Sequence, residues 1–471
     1  MATLHCGVDF GTTNSSVAVS DGRQVRVLEL DPLNDTPSSL PSLLYIARDG
    51  EQIIGRAAAN AFIERNVNRE VILKQVDLGV NIQGYVASEP DKNESYRPAL
   101  DMPAAEEAVR ARATVEVNSP GRLFQSLKSQ LRHRAFRGTE VFGEKYLIEG
   151  LTAAILRRMR EAVEEATGQR VQTVVLGRPV RFSIEPDEDA LAERRLRAAA
   201  DLAGFNNVVL FYEPVAACVE YAVTTDHTQR LMVVDIGGGT CDVCVMEFGG
   251  AREAKARLAE SRILGVSGVP VAGDAIDREI MREKLFPYFG SRARYGPSQL
   301  PLPQFLLNAL LDWQTLYKLN TEETINWLIA MEMSTSQPKA MRALRYLIQT
   351  NYGYPVVREV ESAKKRLSFA PETDIVVHKD AIQIEERLER SEFAHIIDHT
   401  LGQMLDAIKQ AEAAAQVGPQ DIDFVLTTGG TSLIPAIRHM LEQRYGAHRI
   451  LHRDTFVSVA TGLAIVARYV D

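Results

Sequence analysis

The stretch VVDIGGGTCDVCV at residues 233–245 decides how this chain is read. Its centre is either the glycine run Gly237–Gly239, which could hold a phosphate, or the pair Cys241 and Cys244, which could hold a metal or a disulfide. The apolar residues before and after the glycines alternate in the manner of a strand, a tight turn and a second strand. On a strand, residues i and i+3 point to opposite faces, so Cys241 and Cys244 cannot readily share a metal or bond to each other. No second C-x-x-C and no nearby histidine pair completes a zinc set. The glycines are the better centre.

The same pattern opens the chain. Aligned in register, VDFGTTNSSVAV at 8–19 and VDIGGGTCDVCV at 234–245 share Val, Asp, Gly, Val and Val at the same offsets. Asp9 and Asp235 therefore precede two equivalent turns, separated by enough sequence to make a domain. We read this as an internal duplication, each half opening with strand, turn and strand.

The rest of the chain fits that division. At 471 residues it exceeds one ordinary core. With 45% hydrophobic residues, 24% charged residues and a net charge of −9, it has the composition of a soluble protein. The acidic balance argues against a general nucleic-acid or anionic-membrane binder. No apolar run approaches the roughly 20 residues of a membrane span, and MATLHCGVDF lacks the pattern of a signal peptide. Four cysteines do not make a disulfide framework, so a cytoplasmic protein with reduced thiols is expected.

Helical periodicity over EKYLIEGLTAAILRRMREAVEEATG stops at Gly168 and is followed by the buried-strand signal VQTVVLGRPV. EDALAERRLRAAADLAGF predicts a helix, NVVLFY a strand, and EPVAACVEYAV a helix with Pro214 in its first turn. This alternation predicts an α/β protein. Residues 278–358 turn helical, and MRALRYLIQTNYGYPVVREVESAKKRLSF reads as mostly amphipathic helix. DIDFVLTTGGTSLIPAIRHMLEQRYG reads as strand, Gly-Gly turn and helix, and SVATGLAIVARYVD as a terminal helix.

A turn of glycine and threonine exposes successive backbone N–H groups, which together with hydroxyls can surround phosphate oxygens. Glycine serves there because no Cβ separates backbone from ligand. Two such turns facing each other could clamp a polyphosphate, with Asp9 and Asp235 placed to hold Mg²⁺ through water. Gly429–Gly430 forms a third place where backbone could approach a nucleoside. Neither a P-loop nor the G-x-G-x-x-G pattern is present.

Five motifs, GVDFGTTNSS, YEPVAACVEY, VVDIGGGTCDV, ESAKKRLS and VLTTGGTSLIP, occur in the order found in the ATPase domain of the seventy-kilodalton heat-shock chaperones, which the chain resembles over nearly its whole length. The resemblance is weakest in 75–120 and 285–350. It implies an actin-like ATPase fold, two ribonuclease-H-like lobes around a nucleotide cleft. Lobe I would span 1–226, completed by a C-terminal helix at 455–471. Lobe II would span 227–454, with a helical insert at about 278–358.

Carried over residue by residue, the resemblance implies a first phosphate turn of Gly11, Thr12, Thr13 and Asn14 beside Asp9. Gly237, Gly238, Gly239 and Thr240 would form the second, with Asp235 near Mg²⁺. Glu213 matches the glutamate that organises the attacking water. Lys128 best fits the catalytic lysine, and Lys74 is the alternative. Glu361, Lys364, Lys365 and Ser368 match the helix that contacts adenosine, with Gly273, Gly429, Gly430 and Thr431 around the α-phosphate and ribose.

Two departures stand out. Leu433 replaces an arginine that lies against adenine in the family, and Lys365 replaces the other, which reduces a cation–π contribution of roughly 0.5–2 kcal/mol. The chain also resembles the short bacterial homologues of the YegD type, which look like the ATPase domain without its peptide-binding domain. The function implied is an ATP/ADP-binding, slowly hydrolysing chaperone-like protein that acts by lobe closure on a co-chaperone or client. The alternatives are an actin-like filament protein and a nucleotide-binding regulator without turnover.

Overall fold

In a computed structural model of the protein, residues 4–86, 105–171, 173–222, 228–250, 256, 260–452 and 457–470 are described. Two mixed sheets organise the chain. In the first, β1 (His5–Phe10) and β2 (Asn14–Ser20) form an antiparallel hairpin continued by β3 (Val25–Val27), while β4 (Thr173–Arg178) and β5 (Asn207–Tyr212) add in parallel on the other side of β1. In the second, β6 (Gln229–Ile236) and β7 (Cys241–Phe248) form the hairpin and β8 (Arg262–Val269) continues it. On the other side of β6, β9 (Phe424–Thr428) and β10 (Ile450–His452) add in parallel. Strand order and directions are the same in both sheets. So is the register: Asp9 pairs with Ser16, and Asp235 with Asp242.

The side-chain period of two assigns each strand face to a core. Val174 and Leu176 face one cluster together with Val8 and Phe10, and Val175 between them faces another. After α1 (Arg56–Asn66), α2 (Ile148–Thr167) and α3 (Pro186–Leu202) cover the first of these faces. Leu151, Ile155 and Met159 of α2 recur every fourth residue and are buried there. Gly168 ends α2 at φ 64°, its N–H donating to Glu164 O, which is the conformation that glycine adopts most cheaply.

The other face meets α4 (Glu213–Ala222). Among the helices further along the chain are α5 (Gly273–Ile280) and α6 (Gly353–Leu367), which belong to the second sheet's core, and α7 (Ser458–Val466). Val215, Ala216 and Cys218 of α4 share one cluster with Leu463 of α7, Val175 of the first sheet, and Leu231, Val233, Cys244 and Leu426 of the second. Thus α4 and α7 are packed by both sheets. Their approach is close: a Cβ on Gly462 would overlap the carbonyl of Ala216, and one on Gly7 the backbone at Ala464.

One expectation is corrected. Glu144–Leu147 is a strand paired with Gly138–Val141, and α2 begins only at Ile148. There the apolar spacing of the helix runs back into a strand edge. The stretch expected as mostly helix near 341–369 is so, as two helices, Pro338–Gln349 and α6, with a break where Asn351 adopts φ 54°. Asparagine tolerates that left-handed region better than most residues. In the first region of weak resemblance the strands Leu73–Val86 and Ala105–Glu116 pair antiparallel, and short helices lie in the second. Among the described residues, no helix is long and apolar enough to cross a membrane.

Candidate functional site

Two hairpin turns face each other. A Cβ on Gly11 would overlap the carbonyl of Asn14, so the first turn closes too tightly for a side chain. Ser42 braces it, with its N–H donating to Thr13 O at 2.8 Å and its hydroxyl to Gly11 O at 2.8 Å. In the second turn the Gly237 N–H donates to Thr240 O at 3.1 Å. A Cβ on Gly238 would overlap the Thr13 hydroxyl, and one on Gly239 would lie 2.7 Å from the Thr12 hydroxyl. Gly237 has open space at its Cβ position. The turns therefore touch through Gly238 and Gly239. Beside them a cavity of about 10 Å³, lined by Thr12, Lys128, Ser129, Pro179, Gly239 and Thr240, has room for one water-sized molecule.

Behind the turns lies a buried charge cluster. Lys128, on the short helix Leu127–Gln130, donates from Nζ to Glu213 Oε1 at 2.6 Å, and both side chains are buried. Glu213 begins α4. Burial works against the Lys128 ammonium, yet the Glu213 and Asp9 carboxylates outweigh it and raise its pKa. Burial, then Glu213, raise the carboxyl of Asp9 well above the usual range. The same causes push Asp235 up to about 6 and Asp242 up to about 7. Asp9, Glu213, Asp235 and Asp242 thus share one nearby lysine.

The second turn is tied to elements further along the chain. Asp235 Oδ1 accepts from the Thr428 hydroxyl at 2.8 Å, and Gly237 O from the Thr431 hydroxyl at 2.7 Å. The N–H groups of Gly273 and Asp274, opening α5, donate to Gly237 O at 3.2 Å and Gly238 O at 2.8 Å. Lys364 on α6 donates to Gly273 O at 3.0 Å and to Asp277 at 2.7 Å. Gly429 sits at φ 76°, where a Cβ would overlap Ile236 O. Glu361, Lys364, Gly273, Gly429 and Thr431 are thereby placed on or next to elements that touch the turn.

Other expected residues stand further out. Lys365 is exposed and holds Glu361 at 2.7 Å, and Ser368 follows the last turn of α6. Gly430 and Leu433 bound a short 3₁₀ turn, and Leu433 is half-buried. Lys74 lies exposed at the root of the hairpin, opposite Val115, whereas Lys128 is the lysine that meets Glu213. Cys241 and Cys244 are free, buried and in different core clusters. Among the described residues, no three acidic, cysteine or histidine side chains converge to bind a metal directly.

Sequence reasoning missed Ser42, Thr428 and Asp274. Asp274 follows Gly273 within the G-D-A-I-D start of α5, a recognisable helix opening. Ser42 carries no signal, because it reaches the turn only through the pairing of Leu40–Pro41 with β2. A larger cavity, of about 370 Å³, lies elsewhere, beside Lys284, Glu386 and Glu392. Its lysine is already paired with both glutamates, so it offers less convergent chemistry than the turns.

The family model described as Hsp70 protein matches residues 114–263 and 354–470, more than half of the chain. The chain belongs to the Hsp70 family. The actin-like ATPase fold goes with that membership, and two similar sheets whose hairpin turns meet are consistent with it. Chaperone protein DnaK of a Thermus thermophilus strain is 24% identical over 472 residues, covering 98% of this chain and 60% of that protein. Chaperone protein DnaK 1 of a Synechococcus strain is 24% identical over 469 residues, covering 98% and 49%. Chaperone protein dnaK of Cyanidioschyzon merolae is 21% identical over 464 residues, covering 98% and 61%. This Hsp70-family chain spans between half and three fifths of the length of these curated relatives. Residues 1–113 and 264–353 lie outside the family match, and the second of these segments holds the helices Gln304–Ala309, Glu322–Ser334 and Pro338–Gln349.

Proposed function

We propose that the chain binds Mg²⁺-ATP between the two turns, hydrolyses it slowly, and uses the relative closure of two lobes to engage a protein partner. The single observation that carries this reading is the meeting of two equivalent turns over a buried Lys128–Glu213 pair flanked by Asp9 and Asp235. Four carboxyl groups, those of Asp9, Glu213, Asp235 and Asp242, gather around one lysine. Hard divalent cations favour such oxygen donors. The donor set therefore fits Mg²⁺ held through water by Asp9 and Asp235.

When bound, the nucleotide supplies the phosphoanhydride and its metal neutralises phosphate charge. The turns' N–H groups and the Thr12, Thr13 and Thr240 hydroxyls bind phosphate oxygens. Lys128, kept charged by Glu213, stabilises negative charge that develops during transfer. Glu213, fixed by that pair at the start of α4, orients a water. Glu361, Lys364 and Ser368 face the nucleoside with Gly273 and Gly429, and Leu433 takes the place of a stacking cation. Four free, buried cysteines support a reducing, cytoplasmic setting.

Isothermal titration with Mg²⁺-ATP and Mg²⁺-ADP tests binding, and phosphate release under single-turnover conditions tests hydrolysis. Lys128→Ala is expected to retain binding and lose hydrolysis. No nucleotide binding by the wild-type chain would sink the proposal. Leu433 favours one second reading, a regulator that binds without turnover; tight binding with no phosphate released over hours would select it.

A further inference from the structure

Large apolar side chains are exposed singly over much of the chain, but in the helical insert they come together. On the helix Glu322–Ser334, Asn326, Ile329, Ala330 and Met333 recur at the spacing of one face. All four are exposed, Met333 at 85%. Leu328 and Met331, on the opposite side, are held in the core of the second sheet. Trp327 borders the exposed face, and Phe305 of the helix Gln304–Ala309 stacks on it with centroids 6.1 Å apart at 11°. Phe305 is itself 54% exposed, so the stack presents aromatic surface to solvent. Leu300, also exposed, pairs with Tyr295, which bridges Thr335 just beyond the end of the helix.

Charges bracket this surface with a direction. Glu322 and Glu323 are exposed in the first turn of the helix, after the Thr321 cap. Two exposed cations stand at the other end. Arg294 is placed there because its carbonyl accepts from the Thr335 hydroxyl at 2.8 Å and the Ser336 N–H at 3.4 Å. Lys339 lies in the first turn of the next helix, Pro338–Gln349. Among the described residues no ion pair engages any of these four side chains, whereas the nearby Arg342 and Arg345 are both taken by Glu332. The 13 residues of the helix set the acidic and basic ends about 20 Å apart.

A face that is acidic at one end, apolar in the middle and basic at the other complements itself when turned end for end. Two-fold symmetry supplies that arrangement, because each contact made by one copy is repeated by the other. The net charge of −9 opposes indiscriminate association of the chain. At this face two acidic and two basic groups balance, and opposite charges steer one orientation.

We propose that this face is the interface of a homodimer, in which the helices Glu322–Ser334 of two copies lie antiparallel about a two-fold axis near Ile329 and Ala330. Met333 of each copy then packs toward Asn326 and Ile329 of the other, and Glu322 and Glu323 of each meet Arg294 and Lys339 of the other. The whole face lies within 264–353, outside the family match. Nothing in the inference depends on nucleotide, and its test is made without any.

Sedimentation equilibrium on the full chain is expected to show the mass rising from one chain to two with concentration. Met333→Glu is expected to raise the dissociation constant by about tenfold or more, the scale of losing a central interface side chain. Because Met333 is exposed, its melting temperature is expected to stay that of the wild type. Two further variants test the orientation. Glu322→Lys with Glu323→Lys makes both ends basic, and Arg294→Glu with Lys339→Glu makes both ends acidic. Each variant alone is expected to lose self-association, and an equal mixture of the two to form a one-to-one dimer. Circular dichroism checks that each remains folded. A wild type that stays a single chain at about 0.1 mM overturns the proposal and leaves the face to an unlike protein. A dimer unaffected by Met333→Glu overturns it as well, as do two reversed variants that fail to pair when mixed.

Discussion

Lys128 carries two burdens at once, since it is the buried partner of Glu213 and the nearest positive charge to Asp9. Removing one member of a buried ion pair leaves the other uncompensated, at a cost of about 3–5 kcal/mol. Lys128→Ala is thus expected to lower the urea midpoint substantially, and Lys128→Met with Glu213→Gln to recover most of the loss. Loss of hydrolysis in the single variant must be read at a temperature where it remains folded. Asp242 is the second residue with a measurable consequence. Its Oδ1 accepts the Val180 N–H at 2.7 Å, and burial followed by Glu213 raises its pKa from 3.8 to about 7. Because the folded state binds this proton more tightly than the unfolded chain does, the contribution to stability is fully present below pH 4 and is lost as pH rises through 7. Denaturant midpoints are expected to fall between pH 5 and 8. Asp242→Asn, which keeps the acceptor oxygen, is expected to flatten that slope; an equally steep slope would refute the assignment.

At the scale of elements, the contacts between α7, α4 and β1 are set by glycine. A Cβ on Gly462 would overlap the Ala216 carbonyl, which is backbone and cannot swing away. Gly462→Ala is expected to destabilise by about 1–3 kcal/mol, the usual penalty of overpacking, seen as a lower melting temperature. Gly237→Ala, with open space around it, is expected to change stability far less than Gly238→Ala. How far elements could be read from sequence follows from the same local physics. The hairpins β1–β2 and β6–β7 were legible because glycine-rich turns and apolar alternation are local signals. Asp9, Asp235 and the glycines were therefore named from sequence, as were Lys128 and Glu213 through the resemblance. The strand Glu144–Leu147 was not legible, because its pairing with Gly138–Val141 competes with a helical pattern in the same residues. Thr428 and Ser42 were invisible for a different reason. A hydroxyl that braces a turn from a distant element leaves no trace in its own neighbourhood.

For the molecule as a whole, α4 and α7 are held by both sheets at once. Unfolding is expected to be a single cooperative transition by calorimetry, and deletion of residues 457–471 to abolish it, since Val175, Leu231 and Leu426 would lose the cover of α7. A saturating ligand should raise that transition: Mg²⁺-ATP at a hundred times its Kd adds about 2.7 kcal/mol. The two sheets match in register as well as in strand order. Ser16 and Asp242 occupy the same register position in their hairpins, opposite Asp9 and Asp235. Both are buried, but the Ser16 hydroxyl has no hydrogen-bond partner among the described residues, whereas Asp242 reaches out of its sheet to Val180. A near-symmetric scaffold holding a ligand with two unlike ends must assign those ends to different copies. Where the two hairpins differ, as at Ser16 and Asp242, they would offer those two ends unlike surroundings.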